Sequence, residues 1–127
     1  MKFGSHPVNL ILRFILELSA LFSFGFWGWI HGSGLSKILL MLGIPLSMAL
    51  VWGIFAVPGD PSRSGNAPFP VNGLVRLTLE WGIFFLAFLA LLDSDMRSWA
   101  FVFFFLVAIH YTMSTDRIKW LLIQKKN

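Results

Sequence analysis

Charge is scarce in this sequence. Only 13% of its 127 residues are Asp, Glu, Lys or Arg, and 57% are hydrophobic; a soluble domain carries about 25% charged residues. Mean hydropathy is +0.75. Water is therefore excluded as the solvent for most of the surface, and an integral membrane protein is the class that remains. Cysteine is absent, which excludes disulfides, thiolate metal sites and a cysteine nucleophile while leaving the compartment open. Tyrosine occurs once against fourteen Phe and six Trp, which deepens the apolar bias. No phosphate loop, nucleophile elbow, zinc helix motif or dinucleotide fingerprint is present. No nucleophile–base pairing is visible either, so no enzyme, catalytic residue or cofactor is expected. The three histidines are scattered, without carboxylates at ligand spacing, which argues against a metal site. Net charge is +4 and the isoelectric point is near 10, but the basic residues form no patch with interleaved polar readers. Nucleic acid is not an expected partner; the lipid bilayer is.

What the chain has is long apolar runs: Val8–Ile30, Ile38–Val57, Gly73–Leu92 and Trp99–Met113. The first three have the roughly 20 residues that a helix needs to cross a bilayer. The fourth gains length through Thr112–Thr115, giving a span over 99–115, and continues as an amphipathic turn or two through "DRIKWLLIQKKN". Arg13 and Glu17 interrupt the first run and no small-residue cleavage site follows it, so it reads as a span and not as a signal peptide. The connections are "HGSGLSK", the proline-rich "PGDPSRSGNAPFP" and "DSDMRS". The whole chain, 1–127, reads as one membrane domain. Lys2, Arg63, Arg117, Lys119, Lys125 and Lys126 fall on one side, while Lys37 and Arg97 lie opposite, beside Asp93 and Asp95. The bias of Lys and Arg toward the cytoplasm therefore places both termini there. Trp27, Trp29 and Trp99 then belong to the outer interfacial belt and Trp120 to the inner one.

One phrase occurs twice. "PVNLILRFILEL" at Pro7–Leu18 and "PVNGLVRLTLEW" at Pro70–Trp81 superpose without a gap, matching Pro, Val, Asn, Arg, Leu and Glu. This reads as a duplicated helical hairpin, with halves 7–58 and 70–121. Both halves enter from the same side, so their pseudo-twofold axis runs along the membrane normal. The expected fold class is an all-α membrane protein, an antiparallel bundle of four transmembrane helices built from two parallel hairpin repeats.

Within each copy, Asn, Arg and Glu recur every fourth residue and share one helix face. Counting at 1.5 Å per residue, Glu17 and Glu80 lie roughly 12–15 Å inside their spans. A lone charge there costs about 2.5–3.5 kcal/mol even on the lenient insertion scale, so Asn9, Arg13, Glu17, Asn72, Arg76 and Glu80 are expected to form an inward-facing cluster. The expected pairing crosses the pseudo-twofold, with Arg13 reaching Glu80, Arg76 reaching Glu17, and Asn9 and Asn72 closing the wet end. His110 is the candidate proton relay, because an imidazole titrates near neutral pH. His6 and His31 read as solvated. Pro45 is expected to kink the second span and free a carbonyl. Gly28 and Gly32 form a G-x-x-x-G pair at a helix end, a weak packing signal.

Taken in order, "N-x3-R-x3-E-L" on the first span, "WGIFAVP" ending the second, "RLTLE" on the third and "H-Y-x-x-S-x-D-R-x-x-W-L-L" near the end resemble the YrdB-like proteins. These are small bacterial four-helix membrane proteins classed as a domain of unknown function. The resemblance spans nearly the whole chain. It implies a multi-pass protein of the bacterial cytoplasmic membrane, and no activity. It also implies motif positions at Arg13, Glu17, Trp52, Pro58, Arg76, Glu80, His110, Asp116, Arg117 and Trp120, of which Trp52, His110, Asp116 and Arg117 are expected to flank the charged cluster.

Three roles are open to such a chain. The first is a membrane protein whose Arg/Glu cluster fixes the bundle or forms part of a small polar binding site. The arginines already neutralise the glutamates, which favours this role. The second is a small transporter or proton-coupled carrier using Glu17, Glu80 and His110; four short helices enclose little volume, so a solute path would need a homodimer. The third is an accessory subunit that meets a membrane-protein partner through the Phe-rich "FVFFFLVAIHY".

Overall fold

The structure, a computed structural model, describes residues 6–61 and 67–124. Lys2, Arg63, Lys125 and Lys126, four of the charges used to orient the chain, lie outside the described residues. Five helices follow one another among the described residues: α1 (Pro7–His31), α2 (Leu35–Ile54), α3 (Gly73–Asp93), α4 (Arg97–Met113) and α5 (Thr115–Ile123). α1, α2 and α3 are each long and apolar enough to cross a membrane; α4 and α5 reach that length together, bent by 69° at Ser114. The fourth apolar run lies within α4, and its amphipathic continuation is a separate helix, α5, set off by the bend.

Proline and side-chain oxygen chemistry start the helices. Pro7 opens α1, where its missing N–H is harmless, and the exposed His6 caps it by accepting from Val8 N at 3.2 Å. α3 starts three residues later than the repeat predicts. Pro70 is held in a two-residue strand, β2 (Phe69–Pro70), which pairs in parallel with β1 (Phe55–Ala56). That ladder also shortens the second apolar run, which leaves the helix at Ile54. Asn72 consequently becomes the N-cap of α3, its Oδ1 accepting from Val75 N at 2.8 Å, whereas Asn9 sits inside α1.

α1 and α3 form the centre, α4 packs on both, and α2 packs mainly on α1. The core joins Leu16, Ala20 and Phe24 of α1 to Ile83, Phe84, Ala87 and Leu91 of α3 and Ala100 and Phe103 of α4. Glycine sets the α1–α2 distance. A Cβ on Gly28 would lie 2.6 Å from the Leu40 carbonyl carbon, and one on Gly25 would meet the Met41 oxygen at 3.2 Å. Met41 is four residues before Pro45, so its carbonyl is the one that proline leaves without an N–H; α2 runs unbroken through Pro45. The G-x-x-x-G signal is therefore a true close approach. No residue of α2 is buried, and its outer face, with Leu39, Leu42, Leu46 and Leu50, is open. On α4, Phe101, Phe104 and Phe105 also face outward, while Phe103 turns in against Phe84, ring centroids 5.9 Å apart.

At the turn end of the bundle, His31 is not simply solvated. Its Nε2 lies 3.0 Å from the Asp93 carboxylate, which also accepts from Trp27 Nε1 at 2.8 Å. The opposite end is closed by α5, which lies across the start of α3. Gly73 N donates to Gln124 O at 3.0 Å, and a Cβ on Gly73 would fall 1.5 Å from the Leu121 carbonyl oxygen. Only glycine permits this contact.

Candidate functional site

The charged cluster is built around one residue, Glu80, whose side chain is 0% exposed. Arg76, one turn earlier on α3, donates its Nε to Oε2 at 2.7 Å. Arg13 crosses from α1, with Nη2 2.9 Å from Oε2 and Nη1 3.4 Å from Oε1. Arg117 comes from α5 as a fork, Nη1 to Oε1 at 2.8 Å and Nη2 to Oε2 at 2.7 Å. The Tyr111 hydroxyl donates to Oε1 at 2.7 Å. Six donor contacts thus converge on two oxygens from α1, α3, α4 and α5, and bidentate arginine pairing is the strongest geometry available to a carboxylate.

Each arginine also does a second task. Arg76 Nη1 donates to the carbonyls of Trp52 and Phe55, the latter at 2.7 Å. These lie at the C-terminal end of α2, where carbonyls lack helical partners and a cation complements the dipole. Arg117 grips the Asp60 carboxylate of the proline-rich connection, Nε–Oδ1 at 3.1 Å and Nη2–Oδ2 at 2.6 Å. Arg13 Nε pairs with Glu17 at 3.3 Å. Trp52 lies against both Arg13 and Arg76, with guanidinium carbons 5.1 and 4.7 Å from its ring centroid, a cation–π arrangement. Three guanidiniums and three carboxylates make the cluster electrically balanced.

The two copies of the repeat are not used alike. Arg13 does reach Glu80, but no ion pair joins Arg76 to Glu17 among the described residues, since Arg76 is taken up by its own-helix Glu80 and by α2. Glu17 is 27% exposed and lines a cleft of about 140 Å³ with Ala20, Met48, Ala49 and Trp52. Asn72 is absorbed by its cap and stays outside the cluster. Asn9, in contrast, is fully buried. Its Nδ2 donates to Ser114 Oγ at 2.7 Å, and Ser114 Oγ donates to His110 O at 2.7 Å. This leaves Asn9 Oδ1 as the acceptor for His110 Nδ1 at 2.9 Å, so His110 carries its proton on Nδ1. His110 does not touch Glu80; its neighbour Tyr111 does. Asp116, in the first turn of α5, is half-buried, and Arg117 binds the carboxylates of Glu80 and Asp60. Arg117, used in the sequence as an orienting charge and also expected to flank the cluster, is 2% exposed and holds both carboxylates directly.

Sequence reasoning passed over Asp60, Tyr111 and Ser114. Asp60 lies in a proline-rich stretch that reads as solvent-exposed loop. The signal for Tyr111 was available: it is the single tyrosine of the chain, in an apolar run where a phenol needs a partner.

A comparison with known families bears on this arrangement. The profile of the family described as "Protein of unknown function (DUF2568)" matches residues 11–108, which is most of the chain. An "Uncharacterized protein YrdB" from Bacillus subtilis (strain 168) is 47% identical over 119 residues, covering 94% of this chain and 97% of that protein. The chain belongs to the YrdB family. The stretch matched by the family profile contains Arg13, Glu17, Arg76 and Glu80 but stops before Tyr111 and Arg117. The similarity to the Bacillus protein is long enough to include most of the α4–α5 bend as well. No solved structure matches the chain.

Proposed function

We propose that this YrdB-family chain is a four-span protein of the bacterial cytoplasmic membrane, with both termini cytoplasmic. In this reading Glu80 acts as the structural anion that ties the helices together. The observation carrying it is the convergence of Arg13, Arg76, Arg117 and Tyr111 on one fully buried carboxylate. A buried ion cluster fixes register and partner choice more reliably than it adds stability, but removing one member leaves uncompensated charge and costs about 3–5 kcal/mol. Proton carriage on Glu80 is disfavoured, because a proton there would displace at least one of six donors and leave three arginines facing two carboxylates. His110 is poorly placed to serve it, with its Nδ1 proton committed to Asn9. The similarity between "PVNLILRFILEL" and "PVNGLVRLTLEW" supports an ancestral hairpin duplication in which one glutamate became the anchor and the other stayed at the edge.

The test is a double-mutant cycle in detergent with Glu80→Gln and Arg117→Leu. Direct contact predicts a coupling energy of about 1 kcal/mol or more. Additive losses would refute the anchoring role.

A further inference from the structure

Glu17 differs from every other charged member of the cluster in facing open space. Its cleft lies between α2 and α3 with α1 as the floor. α2 and α3 barely touch, so the cleft opens sideways, toward lipid in the four-span arrangement. Met48 joins it to a larger groove of about 610 Å³ that continues along α1 past Phe24 to Trp27 and Asp93. The cleft and the groove thus lie one after the other along about 15 Å of α1, from residue 17 to residue 27, with Met48 between them. Asp93, at the far end of the groove, is engaged by Trp27 and His31.

The chemistry at the closed end is specific. Arg13 directs both Nη atoms to Glu80 and gives Glu17 only its Nε, at 3.3 Å, near the long limit of a hydrogen bond. The Trp52 side chain, on the cleft wall, is the second donor to Glu17, which leaves the open side of the carboxylate for a ligand. An ionised carboxylate offers about four acceptor positions, and in hydrocarbon each wants a donor. A neutral apolar molecule would fill the walls and leave the carboxylate unmet. An anion would be repelled. A primary ammonium brings three donors. On the open side of Glu17 its charge meets a carboxylate whose ion-pair partner, Arg13, is shared with Glu80, while all six donors on Glu80 stay in place. An alkyl chain attached to it matches the Ala20, Leu21, Met48 and Phe84 walls. The end cleft holds about four or five water-sized groups, enough for the head and its first methylenes, with the remaining chain in the groove.

We infer that the cleft ending at Glu17 is a binding site for a lipophilic primary amine in its ammonium form. The head sits on the Glu17 carboxylate and the chain lies between α2 and α3. The inference rests on the reading that Glu80 is the anchor, because only then is Glu17 free to serve a ligand.

The experiment measures equilibrium binding of radiolabelled n-octylamine at neutral pH to the full chain in lipid nanodiscs, with empty nanodiscs subtracted. Saturable binding of one amine per chain is expected, weakened about tenfold or more by Glu17→Gln and by Ala49→Phe, and not displaced by excess n-octanol. Ala49→Phe fills the cleft from an exposed position and leaves both glutamates in place. Binding no greater than to empty nanodiscs, binding unchanged in either variant, or displacement by octanol would each overturn the inference. If Glu17→Gln fails to give monodisperse protein, the division of labour between the glutamates is wrong, and the Ala49→Phe result still decides the binding site by itself.

Discussion

At the residue scale, what matters about each charge is how many partners it holds. Arg13, Arg76 and Arg117 are each buried and each bridge Glu80 to something else: Glu17, the end of α2, and Asp60. Because Arg76 does not reach Glu17, a cycle of Glu17→Gln with Arg76→Leu is expected to show little coupling, within about 0.5 kcal/mol of additivity. The cycle linking Glu80 to Arg117 is expected to exceed that clearly. Tyr111→Phe removes one hydroxyl that donates to an ionised acceptor and is expected to lose about 1.5–3 kcal/mol by thermal unfolding. An unchanged midpoint would mean that the hydroxyl is not bonded to Glu80.

At the element scale, the bundle depends on two places where backbones approach each other through glycine. Gly73→Leu would force the Leu121 carbonyl away and undock α5. The expected loss is at least the roughly 1–3 kcal/mol of an overpacked site, with far-UV helical signal retained because each helix is internally bonded. Gly28→Leu should part α1 from α2 by the same mechanism, and a variant with wild-type stability would show that the hairpin is not packed this closely. The apolar runs in the sequence located α1 to α4 well, since span length and hydropathy are read from composition alone. The Asn/Arg/Glu spacing likewise turned Arg13 inward on α1, and Arg76 with Glu80 inward on α3. What the spacing could not show is how repeat symmetry breaks. Pro70 is pulled into the β1–β2 ladder, and this converts Asn72 into a cap. α5 then folds over α3 and not over α1, giving Glu80 an arginine that Glu17 never receives. Tertiary contacts of this kind leave no periodic trace, and Asp60 was illegible for the same reason.

At the scale of the whole molecule, the polar cluster sits toward the end closed by α5 and the Asp60 connection, while the Trp27–Asp93–His31 contacts close the other. The absence of native cysteine makes orientation directly measurable. Single cysteines replacing Ser33, in the exposed α1–α2 turn, and Lys119, on the exposed side of α5, are expected to behave oppositely in intact cells. A membrane-impermeant maleimide should label the first and spare the second; the reverse pattern would invert the proposed topology. Most direct for the central claim is a side-by-side thermal unfolding measurement in detergent on Glu80→Gln and Glu17→Gln. The anchor role predicts a loss of about 3–5 kcal/mol, or no folded protein, for Glu80→Gln, and a change within about 1 kcal/mol for the edge residue Glu17. Equal losses, or a stable Glu80→Gln, would contradict it.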